Sequence, residues 1–257
     1  MNRALKATLM PALIAVVAAL GVTGWWIYRG EQPGELTLYF HPFVGPKPLV
    51  LNQSSYANPG GVGRFKVRDF QFFLSNIRLV SPTGAFVEPD SYHLVRFDGE
   101  EPGFVIVLHQ VPRRKYQRIE FGIGVDPTAN RSLQQRGDLD PNSRMAWNWE
   151  VGYKFVLFEG TLHRGETNDP LVYHVGFAEN YRPMSIELHR DVQHIRPARL
   201  DFRVDLLRLF QGATNIDMAA LPSVKFDRGD AALLGGNFAG MISLMRSDAA
   251  GRSGRTR

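Results

Sequence analysis

The chain has 257 residues, no cysteine and a formal charge of +5 at pH 7. The length is enough for one large domain with a real core, and the absence of cysteine excludes disulfides, thiolate metal sites and a cysteine nucleophile. A net positive charge would be compatible with binding to nucleic acid or to a membrane surface, but the excess positive charge is confined to the two ends of the chain. Residues 1–30 and 246–257 each carry +3, whereas residues 31–245 hold 23 basic and 24 acidic side chains. The sequence therefore gives no support for nucleic-acid binding.

The first predicted element is an uncharged segment over residues 7–28, which follows Arg3 and Lys6. Its 22 residues are long enough to span a hydrocarbon layer of about 30 Å, with aromatic side chains at the far end. We expect residues 1–30 to act as a transmembrane signal-anchor that leaves the rest of the chain on the periplasmic side of a bacterial inner membrane. A cleaved signal peptide, which would release the domain into the periplasm, and a buried core helix are the alternatives.

Short β-type runs separated by Gly and Pro turns fill most of the remaining chain. Their alternating pattern predicts strands, over residues 35–41, 65–80, 92–98, 104–108, 117–125, 153–162, 171–177, 184–188 and 200–204. Helical patterns are confined to residues 204–210, 218–221 and 229–245. The pattern predicts an all-β protein, an antiparallel β-sandwich with a short C-terminal helix, as a single domain over residues 31–245. Residues 246–257 read as a disordered basic tail.

Three of the seven histidines lie in apolar, strand-like runs: His41, His93 and His174. One interpretation is that each is a core histidine satisfied by a hydrogen bond. The other is that separate strands bring the three imidazoles together as ligands for copper, zinc or nickel. The residues alone leave both interpretations open.

The run Met145–Phe155 contains both tryptophans of the predicted domain, Trp147 and Trp149. In an extended strand these two side chains share one face with Met145, and core packing is the simplest role for them. The chain lacks the G-x-S-x-G, P-loop and G-x-G-x-x-G motifs. We therefore expect a binding protein, without enzymatic activity.

Several segments together resemble one family. They are LYFHPFVGPKPLVLNQSSYANPGG (38–61), FKVRDFQFFLSNIRLVSPTG (65–84), YHLVRFD (92–98), YQRIEFGIGVD (116–126), DPNSRMAWNWEVGYKFVLFEG (140–160), YHVGF (173–177) and VDLLRLF (204–210). Their order is similar to that of the MbnP-like family of periplasmic copper-binding proteins, which is associated with the methanobactin system. The resemblance covers nearly all of residues 35–245.

This resemblance implies a β-sandwich that binds copper through His41, His93 and His174, and we expect the ion to be Cu(I). It also implies that Trp147 or Trp149 is oxidised to kynurenine by a partner, a dihaem cytochrome-c-peroxidase-like protein. Two features depart from the family pattern: the apparent membrane anchor, and residues 223–229, where Met/His-rich sequence is expected. The rival hypotheses are an envelope module that binds protein or glycan without metal, and a metal-assisted hydrolase.

Overall fold

The computed structural model describes residues 33–53, 55–97, 103–132, 134–148, 150–192 and 198–245. Within these ranges most of the chain is β-strand. The strands are β1 (Gly34–Val44), β2 (Lys47–Pro48), β3 (Tyr56–Ala57), β4 (Arg64–Ser81), β5 (Gly84–Val87), β6 (Tyr92–Arg96), β7 (Phe104–Val111), β8 (Tyr116–Ile123), β9 (Ala146–Asn148), β10 (Gly152–Arg164), β11 (Thr167–Gly176), β12 (Arg182–Val192), β13 (Ala198–Asp205), β14 (Ser223–Val224) and β15 (Ile242–Leu244). Each predicted strand has a counterpart, so the mostly β prediction is confirmed.

The strands form two curled sheets. The smaller sheet has the order β15-β13-β1-β2, with β7 also paired to β1, and the larger has the order β12-β8-β4-β10-β11-β14. In the larger sheet β3, β5 and β6 also pair with β4, while β9 pairs with β10. The prediction of a purely antiparallel arrangement is wrong, because β1 runs parallel to β13 and β11 runs parallel to β14. Alternation has the same period in both kinds of ladder and does not reveal strand direction.

The core lies between the inner faces of the two sheets. On β1 the alternating residues Leu36, Leu38 and Phe40 are buried, as the sequence predicts. Phe202 of β13 stacks on Phe40, with ring centroids 5.1 Å apart, and meets Phe121 of β8 edge-on at 6.2 Å. Because Phe121 belongs to the larger sheet, this contact joins the two layers.

Helical structure is sparse in the described residues. Helix α1 (Pro127–Asn130) begins at Asp126, whose carboxylate accepts the backbone N–H groups of Thr128 and Ala129. Helix α2 (Arg228–Asn237) begins at Asp227, which caps it in the same way, and three 3₁₀ turns cover Ala178–Asn180, Leu206–Leu209 and Phe238–Gly240.

The predicted C-terminal helix is present but shorter than expected. It ends at Asn237, and the residues that follow the 3₁₀ turn form β15, which pairs with β13. Gly235 and Gly236 weaken the helix at this end, and the edge of β13 offers the next residues backbone partners. The predicted helix over residues 204–210 is likewise the end of β13 followed by a 3₁₀ turn, and residues 218–221 form a turn.

Three predicted features fall outside the described residues: the anchor over residues 1–30, Trp149 and the basic tail over residues 246–257. Among the helices that are described, none combines the length and the apolar character needed to cross a membrane.

Candidate functional site

Each of the three histidines singled out in the sequence contacts a carboxylate through Nε2. The pairs are His41 Nε2 with Asp201 Oδ1 at 2.7 Å, His93 Nε2 with Glu88 Oε2 at 2.8 Å, and His174 Nε2 with Glu159 Oε1 at 2.9 Å. An ionised carboxylate only accepts hydrogen bonds, so Nε2 carries the hydrogen in each pair, and in a neutral ring this tautomer leaves Nδ1 with a lone pair. A histidine held this way is oriented as metal ligands commonly are.

His41 lies in the smaller sheet, away from the other two histidines. The rings of His41 and Tyr39 are in contact, with centroids 4.4 Å apart. The guanidinium of Arg199 lies over the ring of Tyr39, 4.4 Å from its centroid. Asp201, on the neighbouring strand β13, accepts hydrogen bonds from both His41 and Arg199. These contacts account for the position of His41 without a metal.

His93 and His174 share the larger sheet but are far apart in it. The strand register leads from β11 through β10 and β4 to β6. His174 lies opposite Leu157 of β10, and Leu157 lies opposite Gln71 of β4. Gln71 in turn lies opposite Arg96 of β6, which is three residues beyond His93. Three strand spacings and three residues along a strand separate the two positions by about 17 Å. Across the described part of the chain, no three or more His, Cys, Asp or Glu side chains are grouped so that they could hold a metal ion. The three imidazoles therefore do not converge.

Of the three pairs, the one formed by His174 and Glu159 is the most buried. Oε2 of Glu159 accepts a hydrogen bond from Arg68 at 2.7 Å and one from Arg144 at 3.2 Å. Burial on its own raises the pKa of Glu159, but the hydrogen bonds from Arg68 and His174 and the charge of Arg144 lower this pKa to about 2. Glu159 therefore stays ionised and fixes the ring of His174.

The imidazole of His174 favours its neutral form. Burial lowers its pKa; the hydrogen bond to Glu159 opposes this effect, and the charges of Lys154 and Lys225 reinforce it. Nδ1 makes no hydrogen bond with any described residue. A neutral ring with one nitrogen held and the other unused has the state that a metal ligand requires.

Trp147, on β9, lies over β11, the strand that carries His174. Its ring covers Gly176, where an added Cβ would lie 2.6 Å from Cζ3 of the indole. Gly176 is two residues from His174 on β11, so alternation places both on the same face of the sheet. The indole also contacts Phe177 and Phe226, with ring centroids 5.3 and 5.2 Å away. Phe226 is 63% exposed, so Trp147 belongs to a surface cluster of aromatic rings.

The structure thus places two of the five predicted site residues, His174 and Trp147, on the same face of the larger sheet. Sequence reasoning missed Glu159, Glu88 and Asp201, the carboxylates that orient the histidines. Glu159 and His174 lie in one hairpin closed at Gly165–Glu166, where Arg164 pairs with Thr167. Such a two-residue turn fixes the hairpin register and could have placed Glu159 diagonally beside His174.

The comparisons with known proteins bear on the whole domain. The MbnP family model matches residues 33–226, which is most of the chain. The chain belongs to the MbnP family. The solved structure of MbnP from Methylosinus trichosporium is similar, with a TM-score of 0.53 and 18% identity, over 83% of this chain and 98% of that one. That likeness supports the MbnP fold. A search of curated proteins found no match.

The MbnP family is associated with methanobactin-related copper handling outside the cytoplasm. Copper accepts imidazole nitrogen readily, and His174 of this MbnP-family chain meets the chemical requirements for such a ligand. His41 and His93 meet the same requirement for orientation but lie elsewhere in the fold. Among the described residues, His174 is therefore the imidazole best suited to bind copper, and it lies on the sheet face of the aromatic cluster around Trp147.

Proposed function

We propose that this protein binds copper, as Cu(I), in the bacterial periplasm, and that the ion is held at the face of the larger sheet where His174 lies beside Trp147. The observation that carries the proposal is the geometry of His174, which is oriented through Nε2 by Glu159 and left with an unused Nδ1. Burial lowers the pKa of His174 and so favours the neutral ring. Membership in the MbnP family supports copper as the metal. The protein acts as a binding protein and not as an enzyme.

One imidazole does not hold copper alone, so the proposal includes a second ligand from a tryptophan oxidised to kynurenine. This change opens the indole ring between its two carbons C2 and C3, converts the indole nitrogen into an aniline nitrogen and releases C2 as formate, so that the side chain gains one oxygen and loses one carbon. Trp147 is the tryptophan that the structure describes on the face of His174. The proposed oxidant is a dihaem cytochrome-c-peroxidase-like partner, for which the aromatic cluster around Trp147, exposed at Phe226, would be the contact surface. The N-terminal segment would anchor the protein to the inner membrane.

The copper proposal is tested by titrating the full chain with Cu(I) in competition with a chromophoric chelator. We expect His174→Ala to weaken copper binding strongly, whereas His41→Ala and His93→Ala leave the affinity unchanged. Equal losses in all three variants would instead support a three-imidazole site and a rearrangement of the fold. Unchanged affinity in all three would overturn the assignment of copper to these histidines.

The oxidation is tested separately by intact and peptide mass spectrometry. When the protein is expressed with its dihaem partner, the peptide that contains Trp147 should show the mass of kynurenine. A Trp147→Phe variant should lose that modification and keep the fold, since Phe preserves the contacts with Phe177 and Phe226. Persistence of the modification in this variant would assign it to Trp149.

The separation of the three histidines and the exposed Phe226 beside Trp147 also favour a second function, an interaction module that binds protein or glycan without metal. Phe226→Ala separates the two proposals. A loss of partner binding in this variant, with Cu(I) affinity unchanged in both this variant and His174→Ala, would favour the interaction module.

A further inference from the structure

A cleft with charged side chains in its lining lies in the smaller sheet, where β13 leads into the 3₁₀ turn Leu206–Leu209 and meets the end of α2. The cleft contains one cavity of about 500 Å³. A neighbouring cavity of about 410 Å³ extends to the turn between β1 and β2. Four side chains line both cavities: Arg203, Asp205, Arg208 and Gln211. We call this region the Arg203–Arg208 cleft.

Arg203 is fixed in place on one side of the cleft. Its guanidinium lies 3.8 Å from the ring centroid of Phe43 and donates a hydrogen bond to the carbonyl of Gly45. Oδ1 of Asp205 accepts the backbone N–H groups of Gly45 and Leu207, while Oδ2 lies 3.7 Å from Arg203. Asp205 therefore stabilises the turn through Oδ1, and its charge neutralises that of Arg203 only in part.

Arg208 has no such partner. Its aliphatic stem runs past Gly240, and its guanidinium makes neither an ion pair nor a hydrogen bond with any residue that the structure describes. The described lining of the cleft holds two guanidinium groups against one carboxylate. The amide of Gln211 and the hydroxyl of Ser243 add exposed polar groups to the same lining.

Hydrogen bonds hold one residue of the lining, Asn237, in place. Asn237 is buried, and its amide donates to the carbonyls of Leu209 and Thr214 while its Oδ1 accepts the N–H of Thr214. These bonds tie the end of α2 to the chain that follows the 3₁₀ turn. Gly236, also in the lining, faces open space. Asn237 and the contacts of Arg203 therefore fix two parts of the lining.

We propose that the Arg203–Arg208 cleft binds a small organic anion with two or more carboxylate groups. A guanidinium presents a planar fork of N–H groups that matches a carboxylate, and two of them favour a ligand whose anionic groups are separated. The volume is within the range of small-molecule sites. The cleft belongs to the other sheet from His174, so its ligand is independent of the proposed copper site.

The proposal is tested by isothermal titration calorimetry of the full chain in metal-free buffer, with citrate and inorganic phosphate as separate probes. We expect saturable binding of citrate that is tighter than that of phosphate. Arg208→Gln should weaken citrate binding by about ten- to a hundredfold, the range for hydrogen bonds to charged groups. Arg96→Gln, which removes the same charge from an exposed position on β6, should leave it unchanged.

A second variant guards against an effect of Arg208→Gln on folding. Gly236→Leu adds a side chain into open space within a helix, where leucine is the better helix former. It should keep or raise the Tm and abolish citrate binding by filling the cleft. Absence of saturable binding to citrate, equal weakening by Arg96→Gln, or tighter binding of phosphate than of citrate would overturn the proposal.

Discussion

Nε2 of His174 lies 2.9 Å from Oε1 of Glu159, and the second oxygen of the same carboxylate accepts hydrogen bonds from Arg68 and Arg144. One buried anion thus links a histidine on β11 to arginines on β4 and on the chain that leads into β9. The arginines keep the carboxylate charged, while burial of His174, which Glu159 opposes, lowers the pKa of the imidazole and favours its neutral form. This arrangement makes Glu159 the residue on which both the local stability and the chemistry of His174 depend.

The first prediction concerns Glu159→Gln and pH. The folded pKa of Glu159, about 2, is below its ordinary value of 4.5. Its stabilisation is therefore fully present above about pH 4.5 and is lost as the pH falls towards 2; at 1.36 kcal/mol per unit it is of the order of 3 kcal/mol. We expect the variant to be less stable by about 2–4 kcal/mol at pH 7. Urea unfolding should show this difference narrowing between pH 4.5 and pH 3.

Glu35→Gln is the matched control for this measurement. Glu35 also pairs with a histidine, His109, but both side chains are about two-thirds exposed. Exposed pairs of this kind contribute little, so the free energy of unfolding should change by less than about 1 kcal/mol. A pH-independent loss in Glu159→Gln would show that the carboxylate acts through packing alone.

The second prediction concerns the titration of His174. Because burial lowers its pKa, the folded protein resists protonation, and the associated stability is present above the ordinary histidine pKa and is lost as the pH falls below it. NMR titration of the imidazole should give a pKa below the usual range. Glu159→Gln should lower it further, since Glu159 favours the charged ring, and Lys225→Ala should raise it. Lys47→Ala, on the distant β2, should have no effect.

The strands could be predicted from the sequence because their signal is local. Alternation in β1 places Leu36, Leu38 and Phe40 in the core, and the structure confirms it. The carboxylates that contact the histidines could be predicted only where they are near in sequence. Glu88 is five residues from His93, within reach of a sequence argument, whereas Asp201 is 160 residues from His41 and reaches it only through the parallel pairing of β1 with β13. Pairing between strands that are distant in sequence depends on the whole fold. The sequence therefore could not show whether His41, His93 and His174 lie in one site or in three separate places.

The third prediction uses Gly176, on which Trp147 rests. A Cβ at this position would lie 2.5 Å from the carbonyl oxygen of Tyr153 and 2.6 Å from the indole. Gly176→Ala should therefore cost about 1–3 kcal/mol, the range for overpacking. Combining it with Trp147→Ala should recover only part of the loss, since the clash with the backbone remains. Gly34→Ala, where an added Cβ meets nothing within 4 Å, is the control. Stability equal to wild type in Gly176→Ala would contradict the described position of Trp147.

The last prediction concerns the contact between the sheets at Phe202. Its ring is fully buried between Phe40 of the same sheet and Phe121 of the other. Phe202→Ala removes this contact and leaves a cavity, which should cost about 3–5 kcal/mol in urea unfolding. Phe226→Ala removes the same number of atoms from an exposed ring and should change the stability by less than about 1 kcal/mol. If the sheets fold as one unit, fluorescence and circular dichroism of Phe202→Ala should show a single coincident transition. Separate transitions would mean that each sheet is stable without the other and that Phe202 does not couple them.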